Sequence, residues 1–333
     1  MTNRVLDLSD RPARLSVRNS LLVIQFASAP VTKQPIENAD AGDRKVYRSE
    51  HAGDPNEFTI PLTDIGVLIV SHPQVSYSHA VLSGIAVSGA VFVTCNEKHM
   101  PVSMLLPLVS HSLQTERFAA QAKLPVPVQK RAWQQIVQAK ILAQGRLLKE
   151  RTQSDHGLDA ISKKVKSGDT GNVEARAARI YWGKLFGERE FRRDADGDGL
   201  NACLNYGYAV LRAVVARSLC GAGLHPSLGI HHHNRYDAFC LADDLMEPFR
   251  PLVDREVANL QDAHGEDVEL DKKSKQIILG ALLGRFTAEN ESRTLFDWIS
   301  RSAGSLASAI QGSGERLELP VVEVEKQQRQ IEN

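Results

Sequence analysis

The residues best suited to chemistry lie in one stretch, residues 223–254, which reads GLHPSLGIHHHNRYDAFCLADDLMEPFRPLVD. A run of three histidines at 231–233 precedes Asp243, Asp244 and Glu247. On a helix, Asp244 and Glu247 are three residues apart and share a face, whereas Asp243 points elsewhere. Imidazole and carboxylate groups together are typical ligands of a divalent metal ion. The stretch therefore predicts a metal site built from a histidine loop and the helix that follows it.

A second acidic position lies upstream, in the segment NVEARAARIYW at 172–182. Here Glu174 shares one helical stripe with Ala177 and Ala178, and these small side chains would let another helix or DNA approach the carboxylate. A third segment, NACLNYGYAVLRAVVAR at 201–217, lies between the two. The three pieces together could form one site.

Each piece also has an ordinary explanation when taken alone. A glutamate beside Arg176 and Arg179 is usually a surface ion pair, a histidine run is usually partly solvated and partly capping, and an acidic helix face is usually solvated. Taken without further context, the residues leave these alternatives open.

Carboxylates and a histidine around a cation suit the cleavage or transfer of phosphodiesters. The metal ion polarises the phosphate and lowers the pKa of an attacking hydroxyl or water. Mixed oxygen and imidazole ligands suit Mn²⁺ better than Mg²⁺, although Mg²⁺ fits if it keeps several waters. The sequence contains no GxxxxGK[ST] loop and no GxGxxG after a strand, so nucleotide hydrolysis is not indicated. Transesterification needs no ATP and agrees with that absence.

Composition places the chain among ordinary globular proteins. It has 333 residues, of which 42% are hydrophobic and 24% charged. No apolar run reaches the roughly 18 residues of a membrane helix, and the start shows no signal peptide, so we expect a cytoplasmic protein that does not enter a membrane. Its four cysteines lack CxxC spacing, which favours reduced, buried thiols over a zinc ribbon.

The formal net charge is zero, but the charges are distributed unevenly. Residues 117–193 hold 17 Lys+Arg against 7 Asp+Glu, whereas residues 194–333 hold 14 against 22. A basic central segment can form a phosphate-binding surface, or it can be a solvated helix face with compensating neighbours. Charge alone does not choose between these two interpretations.

Hydrophobic periodicity changes along the chain and predicts an α+β fold. Up to about residue 95 the pattern favours strands, at 14–26, 57–61, 66–70 and 90–95, with a helix at 75–88 and a long hairpin or loop at 31–55. From about residue 112 the period is 3.6. It predicts helices near 112–122, 127–152, 173–189, 201–222, 241–260, 271–285 and 294–312.

We therefore predict three regions. Residues 1–108 form a small β-rich, β-sandwich-like domain, residues 109–313 form a larger all-α catalytic domain, and the polar residues 314–333 form a flexible tail.

Several spaced motifs resemble one known family. They include RLSVRNSLLVIQ at 14–25, the segment from IPLTDIGVLIV to SMLLPL at 60–108, HSLQTERFAAQ at 111–121 and KRAWQQIVQAKILAQGRLL at 130–148, in addition to the three pieces above. Together they resemble the CRISPR-associated adaptation nucleases, the integrases that insert new spacers, and in particular their type II subgroup. The resemblance covers nearly the whole chain.

The resemblance implies a set of site residues. The family's metal ligands, which are also its catalytic residues, correspond to Glu174, one histidine of the 231–233 run and Glu247, and Asp244 matches a further acidic position. His232 is preferred because it lies fifteen residues before Glu247, and His231 is the alternative. Further family-like positions are suggested for supporting or phosphate roles: Tyr181, Asn205, Tyr206 and Arg250. Basic residues are suggested for DNA-backbone contact: Lys130, Arg131, Lys140, Arg146, Arg176 and Arg179.

The resemblance also implies an activity and partners. It implies a Mg²⁺- or Mn²⁺-dependent endonuclease and integrase in which the 3′-hydroxyls of a short foreign DNA duplex (the prespacer) attack the ends of a CRISPR repeat. It further implies a homodimer formed through the β-rich domain, and a heterohexamer of two such dimers with a dimer of a small ferredoxin-like CRISPR subunit, to which type II adaptation factors can be added. Two rival hypotheses are a structure-specific nuclease acting on branched DNA in repair, and a DNA-binding scaffold without catalysis.

Overall fold

The computed structural model describes residues 4–27, 56–97, 101–107, 110–187, 191–265, 268–312 and 316–324. The chain divides into two compact units, Met1–Leu108 and Val109–Asn333. The long hairpin or loop expected at 31–55 lies outside the described residues. In the described part of the chain, no helix has both the length and the apolar character needed to cross a membrane.

The first unit contains two four-stranded sheets and one α-helix in its described residues. One sheet has the order β1-β5-β7-β8 and the other the order β4-β3-β2-β6. The elements are β1 Arg4–Leu8, β2 Ala13–Arg18, β3 Leu21–Phe26, β4 Glu57–Pro61, β5 Ile65–Val70, β6 Ser76–Tyr77, α1 His79–Val87, β7 Val91–Cys95 and β8 Pro101–Leu105. The expected β-rich unit is thus present. Buried side chains from both sheets and from α1 belong to one hydrophobic cluster.

The strand expected at 14–26 is a hairpin of β2 and β3. Its turn residues, Asn19 and Ser20, have φ angles of 51° and 62°. Positive φ at both central residues is the requirement of a tight hairpin turn whose twist matches the flanking strands. Strand β5 reads IGVLIV and is buried at every position, as expected of a strand lying between two parallel neighbours, β1 and β7.

The second unit is mostly helical. Its helices are α2 Gln114–Ala122, α3 Val126–Thr152, α4 Leu158–Ser162, α5 Val173–Leu185, α6 Leu200–Gly221, α7 Cys240–Met246, α8 Arg250–His264, α9 Lys272–Leu282 and α10 Leu295–Ile310. Helix α6 is buried around most of its circumference and packs against α7, α8, α9 and α10. Helix α3 packs against α4, α5, α7 and α8, and against the turn at 247–249. It therefore contacts the elements that carry Glu174, Asp244 and Glu247.

The single helix expected at 241–260 is broken at Pro248. Helix α7 ends at Met246, a 3₁₀ turn covers Glu247–Phe249, and α8 begins at Arg250. Proline has no backbone N–H to donate and its ring clashes with the preceding turn, so the regular α-helix is interrupted here. The break places Glu247 at the junction of two helices.

The second unit is not all-α, which corrects the prediction. A three-stranded sheet of order β10-β9-β11 is formed by β9 Arg285–Ala288, β10 Glu291–Thr294 and β11 Glu323–Val324. The turn between β9 and β10 is made by Glu289 and Asn290, both with positive φ, as in the first hairpin. Phe286 and Ala288 alternate inward, a period of two in the stretch between the helices expected near 271–285 and 294–312.

The expected flexible tail is packed over part of its length. Leu317 and Val322 are buried, and the Leu317 N–H donates to Oε1 of Gln135 at 2.9 Å. Ser302 Oγ donates to the carbonyl of Glu318 at 2.7 Å, and β11 pairs antiparallel with β9. The segment RLELPVVEV at 316–324 contains apolar residues that can be buried, although the composition of the whole tail is polar. Residues 325–333 lie outside the described residues.

Candidate active site

The predicted site residues lie on three elements of the second unit. Glu174 is in the first turn of α5, Asp244 is in α7, and Glu247 is at the break after α7. His232 lies in the loop that joins α6 to α7. The start of α5 is held by Asp169, whose carboxylate accepts the N–H groups of Val173 and Glu174, each at 2.9 Å.

Glu174 and Glu247 meet at the ammonium group of Lys140. Lys140 Nζ lies 2.6 Å from Oε1 of Glu174 and 2.6 Å from Oε2 of Glu247. Burial opposes the charged form of Lys140, but the negative charges of Glu247 and Glu174 outweigh burial and raise the pKa of Lys140. Two carboxylates that are 73 residues apart in sequence therefore hold one cationic atom between them.

Arg250 contacts the other oxygen of Glu247. Its Nη2 lies 3.0 Å from Glu247 Oε1, one helical turn away, and its guanidinium stands 4.8 Å from the centre of the Tyr208 ring. Burial alone would raise the pKa of Glu247, which is 4% exposed, but Arg250 and Lys140 outweigh burial and lower it. Glu247 is thus kept ionised inside the protein.

Asp244 holds the histidine loop. Its Oδ2 accepts the N–H groups of Ile230 at 2.6 Å and His231 at 2.9 Å. Its Oδ1 accepts the N–H of His232 at 3.3 Å and lies 2.6 Å from His232 Nδ1. Both oxygens accept hydrogen bonds and the residue has no exposed surface, so in this arrangement Asp244 orients His232. Its assignment as a metal ligand stays a prediction.

Glycine is required at one position of this loop. A Cβ atom on Gly229 would lie 2.2 Å from the carbonyl oxygen of His232 and 3.2 Å from Oδ2 of Asp244. The close approach lets the loop fold back onto the Asp244 carboxylate.

The histidines of the run have different surroundings. The ring of His231 stacks on Trp133 with 4.1 Å between centroids and 1° between planes, and burial lowers the pKa of His231. His232 meets the edge of the same indole at 5.6 Å. The hydrogen bond to Asp244 raises the pKa of His232 and engages Nδ1, which leaves Nε2 as the ring nitrogen able to bind a cation.

A buried polar chain continues from Arg250 into the core. Tyr181 Oη donates to Asp254 Oδ2 at 2.6 Å, and Tyr208 Oη donates to Asp254 Oδ1. Burial raises the pKa of Asp254 to about 6. The same burial, together with the charge of Asp254, raises the pKa of both tyrosines well above the usual value. Arg250 therefore connects Glu247 to a buried network, because it pairs with Glu247 and stands over the ring of Tyr208, which is hydrogen-bonded to Asp254.

Sequence reasoning suggested Lys140 for DNA-backbone contact and overlooked its place beside Glu174 and Glu247. The sequence did contain a signal that Lys140 is buried. Lys140 lies seven residues after Trp133 on α3, in the same helical stripe as the buried residues Ile136, Val137 and Gln144. A charged residue in a buried stripe requires a partner. Asp254, also overlooked, is a charge among the buried residues of α8.

Other predicted residues have other partners. Arg146 donates to the carbonyl of Val321 at 2.9 Å, and Asn205 accepts from Arg193 and donates to the carbonyl of Ala195 at 2.7 Å. Tyr206 is buried beneath Lys275. The remaining basic candidates are exposed: Lys130, Arg131, Arg176 and Arg179.

The donor set suits a divalent cation in chemical type. Two carboxylates and an imidazole nitrogen are oxygen and nitrogen ligands of the kind that Mg²⁺ and Mn²⁺ accept. Within the described residues, Glu247 Oε2 is buried and receives no hydrogen bond of good geometry, although Lys140 Nζ lies 2.6 Å away. No group of three or more His, Cys, Asp or Glu in the described ranges is gathered closely enough to hold a metal ion. A cation at the two glutamates would therefore require movement of side chains, Lys140 first.

Comparisons with known proteins identify relatives of this chain. The family model described as "CRISPR associated protein Cas1" matches residues 43–281. The chain is 35% identical over 268 residues to "CRISPR-associated endonuclease Cas1" of Neisseria meningitidis, which covers 79% of this chain and 87% of that protein.

Solved structures share the fold. "Casposase bound to integration product" matches with a TM-score of 0.71 at 19% identity, covering 95% of this chain and 93% of that one. A "Cas6-RT-Cas1--Cas2 complex" matches with a TM-score of 0.65 at 16% identity, covering 94% of this chain and 35% of that one. The family model spans most of the chain, and the Neisseria meningitidis protein is similar over most of both lengths. The chain therefore belongs to the CRISPR-associated protein Cas1 family.

Proposed function

We propose that this protein is a metal-dependent DNA endonuclease and integrase that inserts short foreign DNA fragments into a CRISPR repeat array. The observation that carries the proposal is the convergence of Glu174 and Glu247, from two distant helices, on one cationic atom in the second unit. The names of the relatives support the reaction class, since one is an endonuclease and another is a casposase bound to an integration product. The 35% identity to the Neisseria meningitidis protein is in keeping with the type II subgroup.

The proposed metal ligands are Glu174, Glu247 and Nε2 of His232. When bound, Mg²⁺ or Mn²⁺ would polarise the scissile phosphate and lower the pKa of the attacking 3′-hydroxyl. Asp244 keeps His232 in the orientation that presents Nε2, and Arg250 keeps Glu247 ionised and directed at the site. His231, the alternative ligand, stacks on Trp133 instead.

The proposed substrates are double-stranded DNA, as prespacer and as CRISPR repeat. The exposed arginines and lysine near the start of α3 and along α5 are suited to contact phosphates, which would make binding salt-dependent. They are Lys130, Arg131, Arg176 and Arg179.

The proposed assembly is a homodimer formed through the first unit, whose sheets we propose are arranged like a β-sandwich. Two dimers with a dimer of a small ferredoxin-like CRISPR subunit would form a heterohexamer, and type II adaptation factors would join it. The name of the Cas6-RT-Cas1--Cas2 complex supports a partner of this kind. A cytoplasmic location stays a prediction.

A strand-transfer assay tests the proposal. The protein and the small partner are incubated with a short duplex bearing free 3′-hydroxyls, a supercoiled plasmid carrying a repeat array, and Mn²⁺ or Mg²⁺. We expect metal-dependent covalent joining that is lost in Glu174→Gln and Glu247→Gln. Asp159→Asn is the matched control, because Asp159 is an exposed carboxylate of the same unit whose side chain pairs with Lys163.

The other outcomes select the rival functions. Cutting of branched DNA without joining would favour the repair nuclease. DNA binding without chemistry in any condition would favour the scaffold. Full activity in Glu174→Gln would remove the proposed metal site.

A further inference from the structure

We propose that Lys140 is a built-in counter-ion that holds Glu174 and Glu247 in place in the metal-free protein and is displaced from them when a divalent cation binds. The inference rests on the proposed function, because it takes these two glutamates as metal ligands. It makes Lys140 a positioning residue that sets metal affinity. It is not a metal ligand and is not assigned a contact with DNA.

The geometry requires competition between the ammonium and a metal ion. Lys140 Nζ lies 2.6 Å from one oxygen of each glutamate. A metal ion bound to the same two oxygens would stand close to the ammonium, in the space between the two glutamates. Two cations drawn to one pair of carboxylates also repel each other strongly, because the surroundings screen charge poorly. Metal and ammonium therefore cannot both keep these contacts.

The charge balance shows why the metal-free site needs a cation. Glu247 is 4% exposed, and Lys140 keeps only 14% of its side chain exposed. Without Lys140, Arg250 alone would face two carboxylates that are close together, and their repulsion would separate them. With Lys140, the two negative and two positive charges balance, so the ligands keep their relative positions before metal arrives.

Lys140 is the cation that can leave. Its four-carbon chain is flexible and its ammonium is a point charge that regains hydration when it moves. Arg250, in contrast, is fixed over the ring of Tyr208 at 4.8 Å. The backbone of Lys140 is held in α3 by Ile136, Val137 and Ile141, all without exposed surface, so only its side chain would move.

The test compares Lys140→Met with wild type by two measurements on the full chain: Mn²⁺ titration calorimetry, and thermal unfolding with EDTA or with Mn²⁺. We expect Lys140→Met to bind Mn²⁺ about tenfold more tightly, since one competing positive charge is removed. We expect a lower Tm than wild type in EDTA, and a smaller difference in saturating Mn²⁺. Lys149→Met, at an exposed position of the same helix, is the control and should change neither measurement.

The outcomes separate this inference from the proposed function. If Glu174→Gln and Glu247→Gln weaken Mn²⁺ binding but Lys140→Met leaves it unchanged or weaker, the metal site stands and the counter-ion role is overturned. If the two glutamine variants bind Mn²⁺ as wild type does, the metal site itself fails, and this inference fails with it. A Lys140→Met protein that stays unfolded even with Mn²⁺ present also overturns the inference, because the metal ion should replace the lost cation.

Discussion

Nδ1 of His232 lies 2.6 Å from Oδ1 of Asp244, a carboxylate with no exposed surface. The same carboxylate accepts three backbone N–H groups from consecutive residues, 230 to 232. A buried carboxylate that receives four hydrogen bonds fixes the loop and the imidazole together. The ring orientation of His232 is therefore set by a residue that is twelve positions away in sequence.

Asp244→Asn is expected to weaken Mn²⁺ binding by about 10- to 100-fold, the usual effect of removing a partner that orients a ligand. The amide can turn only one accepting oxygen toward the loop, so some N–H donors lose their partner, at a cost of about 1–3 kcal/mol in unfolding free energy. The pKa of His232 should fall, because the hydrogen bond to Asp244 is what raises it. Titration calorimetry measures the Mn²⁺ affinity, denaturant unfolding measures the stability, and an NMR titration of the imidazole measures the pKa of His232. Unchanged Mn²⁺ affinity would contradict the positioning role.

The histidine run offers three substitutions that distinguish a ligand from its neighbours. His232→Ala should reduce Mn²⁺ affinity strongly, whereas His233→Ala should leave it close to wild type. His231→Ala should act mainly on stability, because it removes the ring stacked on Trp133. Titration calorimetry on the three proteins gives the ranking. A loss of affinity greatest in His231→Ala would transfer the ligand role to that residue.

Trp133 contacts the rings of both His231 and His232 and is 2% exposed. Trp133→Ala is expected to cost about 3–5 kcal/mol in unfolding free energy, as for other buried large aromatics. Trp133→Phe keeps a ring beneath His231 and should retain much of the Mn²⁺ affinity that Trp133→Ala loses. Denaturant unfolding and calorimetry on the pair separate packing from positioning. Equal Mn²⁺ affinity in both variants would show that the stack does not support the loop.

Asp254 predicts a dependence of stability on pH. Burial raises its pKa from 3.8 to about 6, so between about pH 4 and pH 6 the folded protein binds more protons at this residue than the unfolded chain does. Stability from this group is therefore greatest below pH 4 and is lost as pH rises through 6. Relative to Asp254→Asn, wild type should lose up to about 3 kcal/mol over this range. Denaturant unfolding of both proteins at pH 4.5 and pH 7.5 gives the difference, and a gap that is constant with pH would contradict the assignment.

Local patterns in the sequence determined much of the fold. The period of 3.6 predicted α3 and α6 to within a residue or two, because an apolar stripe must be buried whatever its partner is. The same reasoning predicted Glu174 in the first turn of α5. The break at Pro248, in contrast, interrupts the single helix predicted at 241–260, although a proline acts on its own backbone and needs no tertiary partner.

Other features depended on partners distant in sequence. The sheet of β9, β10 and β11 joins a hairpin at 285–294 to residues 323–324, and the pairing exists only because the C-terminal segment returns to that edge. Likewise, the sequence around Leu317 resembles a polar tail, and its packing depends on a distant partner, because Gln135 of α3 accepts the Leu317 N–H. Pairing between strands that are distant in sequence is difficult to predict from the local order of residues, because strand preference depends on the neighbouring strands.

The sequence alone predicted the chemical groups of the candidate site: the two glutamates and the histidine run. Tertiary structure decided which groups they contact. Lys140 lies between Glu174 and Glu247, and Asp244 is hydrogen-bonded to His232. The physical reason is that residue type determines which bonds a group can make, whereas burial and distance determine which it does make.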